Sequence, residues 1–173
     1  IMAGLVGSEM CIRDSSEWAL RDRDLGMESG HASSVEEMIS MALSRIDGPF
    51  SAADLGCGNG WVCRALEERV DCLSAMGVDG SEEMIRKARS RGDGEFYQIR
   101  LPGWRPPRKY DLVHSMEFLY YLNDPISMLS EVHDHWLAPG GTLVAGVDHY
   151  LENEDSLDSV SYTHLTLPTI PQV

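Results

Sequence analysis

The most informative segment of the chain is Asp54-Leu55-Gly56-Cys57-Gly58-Asn59-Gly60. It follows a short, mostly apolar stretch and precedes residues with helical spacing, an order that indicates strand, tight loop and helix. Glycines in such a loop let backbone amides approach a ligand, and the start of the following helix favours negatively charged groups. A glycine-rich loop alone is equally typical of a structural turn, so the neighbouring segments must decide between the two interpretations.

Strand-like and helix-like segments alternate along the chain on both sides of this loop. The predicted strands cover residues 51–55, 73–79, 95–101, 110–115 and 142–147. A capping box at residues 34–37 predicts a first helix that ends at Gly48-Pro49, and Ser81 is predicted to cap a helix after the second strand. Helical patterns also cover residues 62–70 and 126–137. This alternation predicts an α/β fold with a doubly wound, Rossmann-like parallel sheet.

An acidic residue ends the second predicted strand at the distance that a nucleotide-binding site requires. Asp79 lies 19 positions after Gly60 (79 − 60 = 19), close to the spacing of about 20 at which a carboxylate accepts hydrogen bonds from ribose hydroxyls. The glycines form a G-x-G-x-G pattern, whereas the dinucleotide fingerprint places its third glycine where Trp61 stands. The pattern therefore favours a nucleotide-like ligand and disfavours a nicotinamide-dependent oxidoreductase.

Four segments resemble, in order, the motifs of the class I S-adenosylmethionine-dependent methyltransferases. They are Ala53-Asp54-Leu55-Gly56-Cys57-Gly58-Asn59-Gly60, Gly77-Val78-Asp79-Gly80-Ser81-Glu82-Glu83-Met84, Tyr110-Asp111-Leu112-Val113-His114-Ser115 and Leu137-Ala138-Pro139-Gly140-Gly141-Thr142-Leu143. Together they cover roughly residues 51–148. The resemblance implies the methyltransferase fold, S-adenosylmethionine as the cofactor and methyl transfer as the activity.

The resemblance also implies which residues bind the cofactor. Asp54 would organise the loop and the methionine amino end, Asp79 would bind the ribose, and Ser115 would lie near the methionine moiety. The family often has an acidic residue after the third strand to meet the adenine amine, but residues 98–100 read Gln-Ile-Arg here. The full set of expected cofactor-binding residues is Asp54, Gly56, Cys57, Gly58, Gly60, Asp79, Gly80 and Ser115.

The loops after the fourth and fifth strands carry the candidate catalytic residues. Methyl transfer from a sulfonium is a direct displacement, so a base helps only where the acceptor is a hydroxyl or a protonated amine. The candidates are His149, Glu117 and Tyr120, with His149 as the leading base. An ordinary loop position is the alternative interpretation for His149, and helix packing is favoured for Tyr120.

Two further groups of residues are weighed for contacts outside the cofactor site. Glu28 and His31 precede the first predicted helix, where the family often has lid and substrate-contact segments; surface solvation is the alternative. His133 and His135 would point to different faces of a helix, so no metal site is predicted.

Composition limits the classes of function. The chain has 173 residues, with 14 Lys and Arg against 28 Asp and Glu, a net charge of −14 that offers no basic face to a nucleic acid. It has no apolar stretch of roughly 20 residues, so no membrane segment is predicted. Four cysteines without C-x-x-C spacing favour a reducing cytoplasm. Cys11 lies in the N-terminal segment discussed below, and Cys57, Cys63 and Cys72 are predicted to be small buried thiols.

Two hypotheses of function therefore remain open. The first is a methyltransferase that acts on a small-molecule acceptor, and the second is a regulatory module that binds S-adenosylmethionine without turnover. The sequence does not identify the acceptor or the oligomeric state.

Both ends of the chain read as translated DNA adapter. Met10-Cys11-Ile12-Arg13-Asp14-Ser15 corresponds to a transposon end used in sequencing-library adapters, and residues 160–169 correspond to the reverse complement of its partner. The expected organisation is therefore non-native sequence at 1–15, a partial methyltransferase domain at 16–158, and non-native sequence at 159–173. The resemblance implies a sheet of seven strands, of which the last two are expected to be missing.

Overall fold

The structure is a computed structural model that describes residues 12–13, 15–17, 19–22 and 24–147. Five parallel strands form one sheet: β1 (Phe50–Leu55), β2 (Cys72–Asp79), β3 (Glu95–Gln98), β4 (Tyr110–Met116) and β5 (Leu137–Gly146). The strand order is β3-β2-β1-β4-β5, and each neighbouring pair is parallel. The prediction of a doubly wound parallel sheet is confirmed.

Helices cover both faces of this sheet. They are α1 (Asp24–Leu43), α2 (Trp61–Glu67), α3 (Glu82–Arg91) and α4 (Pro125–Glu131), with a 3-10 turn at Leu119–Tyr121 and a π-helical turn at Val132–Trp136. Successive strand residues point to opposite faces. Ala52 and Leu112 therefore pack with residues of α1, α2 and α3, whereas Ala53 and Val113 pack with residues of α4 and the π-helical turn.

The strand order places one crevice at a defined point of the sheet. The chain winds outward from β1 in one direction through β2 and β3, and in the other through β4 and β5. Ligands of open α/β sheets bind beyond the carboxyl ends of the strands, where the winding direction changes. That point lies here between β1 and β4.

The first helix begins eleven positions earlier than predicted, at Asp24 instead of Val35 (35 − 24 = 11). The capping box at residues 34–37 lies inside α1, which starts at Asp24. Gly26 and Gly30 have weak helix propensity, but Asp24 is held by an ion pair with Lys87 and a hydrogen bond from Asn59. These tertiary contacts anchor the first turns of the helix, and local propensity does not reveal them.

Two predicted apolar segments also differ at their ends. The helix predicted for residues 62–70 ends at Glu67, and Val70 and Leu73 are exposed to solvent. The helix predicted to reach Leu137 ends at Trp136, because Leu137 pairs with Tyr110 as the first residue of β5. The second of these boundaries depends on sheet pairing.

An irregular pairing in β5 accommodates Pro139-Gly140-Gly141. Tyr110 pairs with Leu137 and Leu112 with Thr142, so residues 138–141 bulge opposite Asp111. A Cβ atom on Gly141 would lie 2.9 Å from the Tyr110 carbonyl oxygen and 3.1 Å from that of Asp111. Real Cβ atoms essentially never lie within 3.0 Å of another heavy atom of this kind, so the 2.9 Å approach to Tyr110 requires glycine at this position.

We expect opposite effects from two glycine substitutions. Gly141→Ala should lower the free energy of unfolding by about 1–3 kcal/mol, because backbone atoms must move. Gly30→Ala is the matched control in α1, where nothing lies within 4 Å of the added Cβ; it should raise the free energy of unfolding by about 0.5–1 kcal/mol. Urea unfolding followed by circular dichroism measures both, and equal effects would contradict the assigned bulge.

Candidate functional site

An open cleft lies where the carboxyl ends of β1 and β4 approach α1. Its lining residues are Asp24, His31, Asp54, Gly56, Cys57, Gly58, Asn59, Trp61, Val62, Met84, His114, Met116 and Glu117. Among the predicted site residues, the structure brings together Asp54, Gly56, Cys57, Gly58 and Glu117 in this cleft. Gly60, Asp79, Gly80 and Ser115 are not part of the lining.

The three loop glycines have different surroundings, although all three have positive φ values. Gly56 has φ +74°, Gly58 φ +52° and Gly60 φ +76°, a region that favours glycine. A Cβ on Gly60 would lie 2.6 Å from the Phe96 ring, so the close packing of the loop against β3 requires this glycine. A Cβ on Gly58 would have one neighbour within 4 Å, the Met84 sulfur at 4.0 Å. Gly58 is therefore the open position of the loop.

Asp79 joins the end of β2 to this loop. Its carboxylate accepts hydrogen bonds from the Gly58 amide at 3.0 Å and from the Ser81 amide at 2.7 Å. Burial raises the pKa of Asp79, and the two amide hydrogen bonds oppose that shift without cancelling it. A carboxylate has about four lone-pair positions, so two acceptor positions remain for a ligand.

The N-terminal residues contact the loop between β2 and α3. A Cβ on Gly80 would lie 2.8 Å from the Ile12 side chain, and the Ser16 and Ser81 hydroxyls are 2.8 Å apart. Ile12 belongs to the segment expected to be adapter. It packs on Gly80, a residue expected to bind the cofactor.

Asp54 and His114 form a buried pair at the base of the cleft. They are register partners in β1 and β4, and the Asp54 Oδ1 atom lies 2.7 Å from His114 Nδ1. Sequence reasoning included His114 in a motif but gave it no role. Strand alternation could have identified it, because His114 lies on the same face of β4 as the apolar Leu112. The alternation therefore predicts a polar side chain at a buried position.

Ser115 points away from this pair. Its side chain is buried, and its hydroxyl donates a hydrogen bond to the Leu55 carbonyl at 3.2 Å. The structure thus gives Ser115 a contact between two strands, and its expected position near the methionine moiety stays a prediction.

A buried network connects α1, the glycine-rich loop and α3. Asp24 is 4% exposed and accepts hydrogen bonds from the Asn59 side-chain nitrogen Nδ2 at 2.7 Å and from Lys87 Nζ at 2.6 Å. Arg91 lies 3.2 Å from the same carboxylate. Burial alone would raise the pKa of Asp24, but the hydrogen bonds and the two positive charges lower it. Sequence reasoning missed the network because its members lie far apart in the chain.

The cysteine of the loop is a buried, neutral group. Cys57 is 3% exposed, and burial raises the pKa of its thiol well above the ordinary value. Cys63 is buried in the same way, and Cys72 is partly buried. All three are free thiols, and two of them have the buried positions that the sequence predicted.

The candidate catalytic residues occupy different environments. Glu117 lines the cleft with φ +56°, and its amide donates to the Gly146 carbonyl at 3.0 Å. The Tyr120 hydroxyl donates to the Tyr121 hydroxyl at 2.8 Å; burial, and then this hydrogen bond, raises the Tyr120 pKa. Tyr120 therefore stays protonated and does not fit a base, and its hydroxyl proton is already donated to Tyr121. His149 lies outside the described residues.

Two observations concern membranes and metal ions. None of the helices in the described ranges combines the length and the apolar character needed to traverse a bilayer. Within the same ranges, no group of three or more His, Cys, Asp or Glu side chains is placed to hold a metal ion. His133 contacts the neighbouring Asp134 carboxylate at 2.8 Å. Glu28 and His31 lie within α1, whereas the sequence predicted them to precede the first helix. His31 lines the cleft, and a lid or substrate contact for these residues stays a prediction.

The fold and the cleft define a Rossmann-like nucleotide-binding protein. Its sheet order is β3-β2-β1-β4-β5, its glycine-rich loop follows β1, and an acidic residue ends β2. The family described as "Methyltransferase domain" matches residues 53–143, more than half of the chain. The chain therefore belongs to this family, the class I S-adenosylmethionine-dependent methyltransferases.

Individual relatives agree with this assignment. The trans-aconitate 2-methyltransferase of Azoarcus sp. (strain BH72) is 36% identical over 99 residues, which are 57% of this chain and 39% of that enzyme. A methyltransferase solved in complex with the Haloferax volcanii Trm112 methyltransferase activator superposes with a TM-score of 0.65 at 34% identity, over 80% of this chain and 62% of that chain. An S-adenosylmethionine dependent methyltransferase from Mesorhizobium loti superposes with a TM-score of 0.57 at 28% identity, over 69% and 54%. The chain thus spans less than half the length of the Azoarcus relative.

Replacing Asp24 with Asn should destabilise the protein in a pH-dependent way. Because folding lowers the Asp24 pKa below 3.8, its stabilising contribution is complete above pH 3.8 and is lost as the pH falls through the lowered value. We expect Asp24→Asn to lower the free energy of unfolding by about 1–3 kcal/mol at pH 7. The difference from the wild type should shrink progressively below pH 3.8.

The matched control is Asp22→Asn. Asp22 contacts the same lysine at 2.6 Å, but its side chain is 70% exposed, and exposed ion pairs contribute little. Urea unfolding of both variants between pH 7 and pH 3 measures the contrast. Equal losses for the two variants, or a loss for Asp24→Asn that does not change with pH, would show that the buried network does not stabilise the fold as described.

Proposed function

We propose that the protein transfers a methyl group from S-adenosylmethionine to a small-molecule acceptor. The observation that carries this proposal is the arrangement of Asp54, Asp79 and the open loop position Gly58 at the carboxyl ends of β1 and β2. Because the chain spans only part of its relatives, the activity is proposed for the whole protein of which these residues form the cofactor-binding part.

The described residues fit the cofactor. The unused acceptor positions of Asp79 suit the two ribose hydroxyls, and Gly58 leaves room for a ligand beside its backbone. Asp54 and Glu117 line the cleft with carboxylates, which favour the positive charges of a sulfonium and an ammonium group. S-adenosylmethionine supplies a methyl group bonded to a positively charged sulfur, which makes that carbon electrophilic.

The chain contributes to the reaction mainly by positioning. Direct displacement needs the acceptor atom, the methyl carbon and the sulfur in line, and holding such a geometry removes much of the entropic barrier. Asp79 and Asp54 hold the loop and the sheet edge that carry the cofactor. Glu117 is the candidate base among the described residues, because its carboxylate lines the cleft and its left-handed backbone is held by β5. Tyr120 is proposed to contact the methyl acceptor through its hydroxyl oxygen, because its one hydroxyl proton is donated to Tyr121.

The acceptor is proposed to be a small organic molecule. Relatives named trans-aconitate 2-methyltransferase support this class. A carboxylate acceptor is already deprotonated and needs no base, whereas an amine or alcohol would use Glu117 or His149. The acidic lining of the cleft favours an amine or alcohol over a tricarboxylate by simple charge repulsion. An acceptor screen should therefore include both classes.

Binding of S-adenosylhomocysteine tests the cofactor assignment. We expect saturable binding by the wild type in a calorimetric titration, and weakening by about 10–100-fold in Asp79→Ala, because two charge-assisted hydrogen bonds to the ribose are lost. Asp71→Ala is the matched control, since Asp71 is an exposed carboxylate beside the opposite end of β2. Circular dichroism confirms that each variant is folded. A folded wild type that does not bind would overturn the proposal.

Turnover tests the reaction itself. We expect the full-length protein to convert S-adenosylmethionine to S-adenosylhomocysteine in the presence of an acceptor, measured by mass spectrometry of both products. With trans-aconitate as acceptor, Glu117→Gln should change the rate less than twofold, whereas with an amine or alcohol the rate should fall by about 100-fold or more. Cofactor binding without product from any acceptor class would contradict the proposed activity.

A further inference from the structure

His114 is a buried histidine with one ring nitrogen paired and the other unpaired. Its side chain is fully buried, and Nδ1 lies 2.7 Å from the Asp54 Oδ1 atom. Nε2 has no hydrogen-bond partner among the described residues. An ionised carboxylate is only an acceptor, so the Asp54 contact places a proton on Nδ1 and fixes the orientation of the ring.

A buried nitrogen without a hydrogen-bond partner destabilises the fold, so such an atom indicates a position where a ligand can supply the partner. A buried donor or acceptor without a partner loses its hydrogen bonds to water and gains none in return. Two other buried side-chain atoms of the described ranges share this property, Tyr110 Oη and Trp136 Nε1. Both belong to the core cluster on the opposite face of the sheet. His114 differs from them because its side chain lines the cleft.

The position of His114 relative to Asp79 indicates which part of a ligand it meets. Asp79 ends β2, Asp54 lies in β1, and His114 lies in β4 on the other side of β1. Neighbouring strands are about 4.8 Å apart, so β2 and β4 are separated by about 10 Å. A cofactor whose ribose bound Asp79 would extend across the glycine-rich loop toward the cleft that Asp54 and His114 line.

We propose that His114 binds the amino-acid end of S-adenosylmethionine through Nε2, with Asp54 as the residue that orients the ring. This inference rests on the proposed function. Without a proton, Nε2 accepts a hydrogen bond from the α-ammonium group; with a proton, it donates one to the α-carboxylate. Both groups belong to the same α-amino acid. His114 therefore makes the site selective for cofactors that carry this end over thioether nucleosides that lack it.

Two ligands and two variants test the proposal on the full chain. S-adenosylhomocysteine carries the amino acid, whereas 5′-methylthioadenosine keeps the adenosine and the sulfur without it. His114→Asn keeps a polar group near the position of Nδ1, facing Asp54, and removes the group at Nε2. His114→Gln places an amide near the position of Nε2. His133→Asn is the matched control, because His133 is 64% exposed and lies outside the cleft.

Calorimetric titration of His114→Asn should show a loss of affinity for only one of the two ligands. His114→Asn should weaken the binding of S-adenosylhomocysteine by about tenfold or more, because this ligand loses a hydrogen bond. The affinity for 5′-methylthioadenosine should stay within about twofold of the wild type. His114→Gln should recover part of the loss, and His133→Asn should change neither affinity. Unchanged affinities in His114→Asn, or equal losses for both ligands, would overturn the role of His114 and leave the proposed function standing. A folded wild type that binds neither ligand would overturn both.

A measurement on the wild type covers the case in which the variants do not fold. In a ¹⁵N-labelled protein, the His114 Nε2 resonance should shift on addition of S-adenosylhomocysteine and stay in place on addition of 5′-methylthioadenosine. The Nδ1 resonance should move little with either ligand, because Asp54 already binds it. Equal Nε2 shifts with both ligands would contradict the proposal.

Discussion

The parallel pairing of β1 with both β2 and β4 is the constraint on which the site depends. Parallel strands end at the same edge of a sheet. The register places Asp54 beside His114 on one side of β1, and Leu55 beside Val78 on the other. Residues separated by 60 positions in the chain thereby come within hydrogen-bond distance at the base of one cleft.

The glycine-rich loop is held from two sides by carboxylates with opposite pKa shifts. Asp79 holds the Gly58 amide from β2, and burial raises its pKa because no cation compensates the lost water. Asp24 holds the Asn59 side chain from α1, and Lys87 and Arg91 lower its pKa despite burial. The loop is thus shaped in advance for a ligand. The contributions of its two supports to stability vary with pH in opposite directions, because the pKa of Asp24 is lowered and that of Asp79 is raised.

The glycines of the loop serve packing as well as ligand access. Gly60 allows the loop to approach Phe96, whereas Gly58 stays open toward the cleft. The same division applies to β4, where His114 lines the cleft and the neighbouring Ser115 hydroxyl bonds to β1. Membership of a sequence motif therefore does not tell whether a residue contacts the ligand or supports those that do.

The sequence by itself determined the fold class, the order of the five strands along the chain, the glycine-rich loop and the acidic end of β2. These features are local: apolar periodicity, turn residues and the Ser81 cap each depend on a few neighbouring residues, and Ser81 does accept the Met84 amide. The tertiary structure alone decided the start of α1, the exposure of Val70 and Leu73 and the transfer of Leu137 into β5. It also decided the contacts of Asp24 with Asn59 and of Asp54 with His114. Those features depend on residues that are far apart in the chain and meet only when the sheet has formed, so no local pattern contains them.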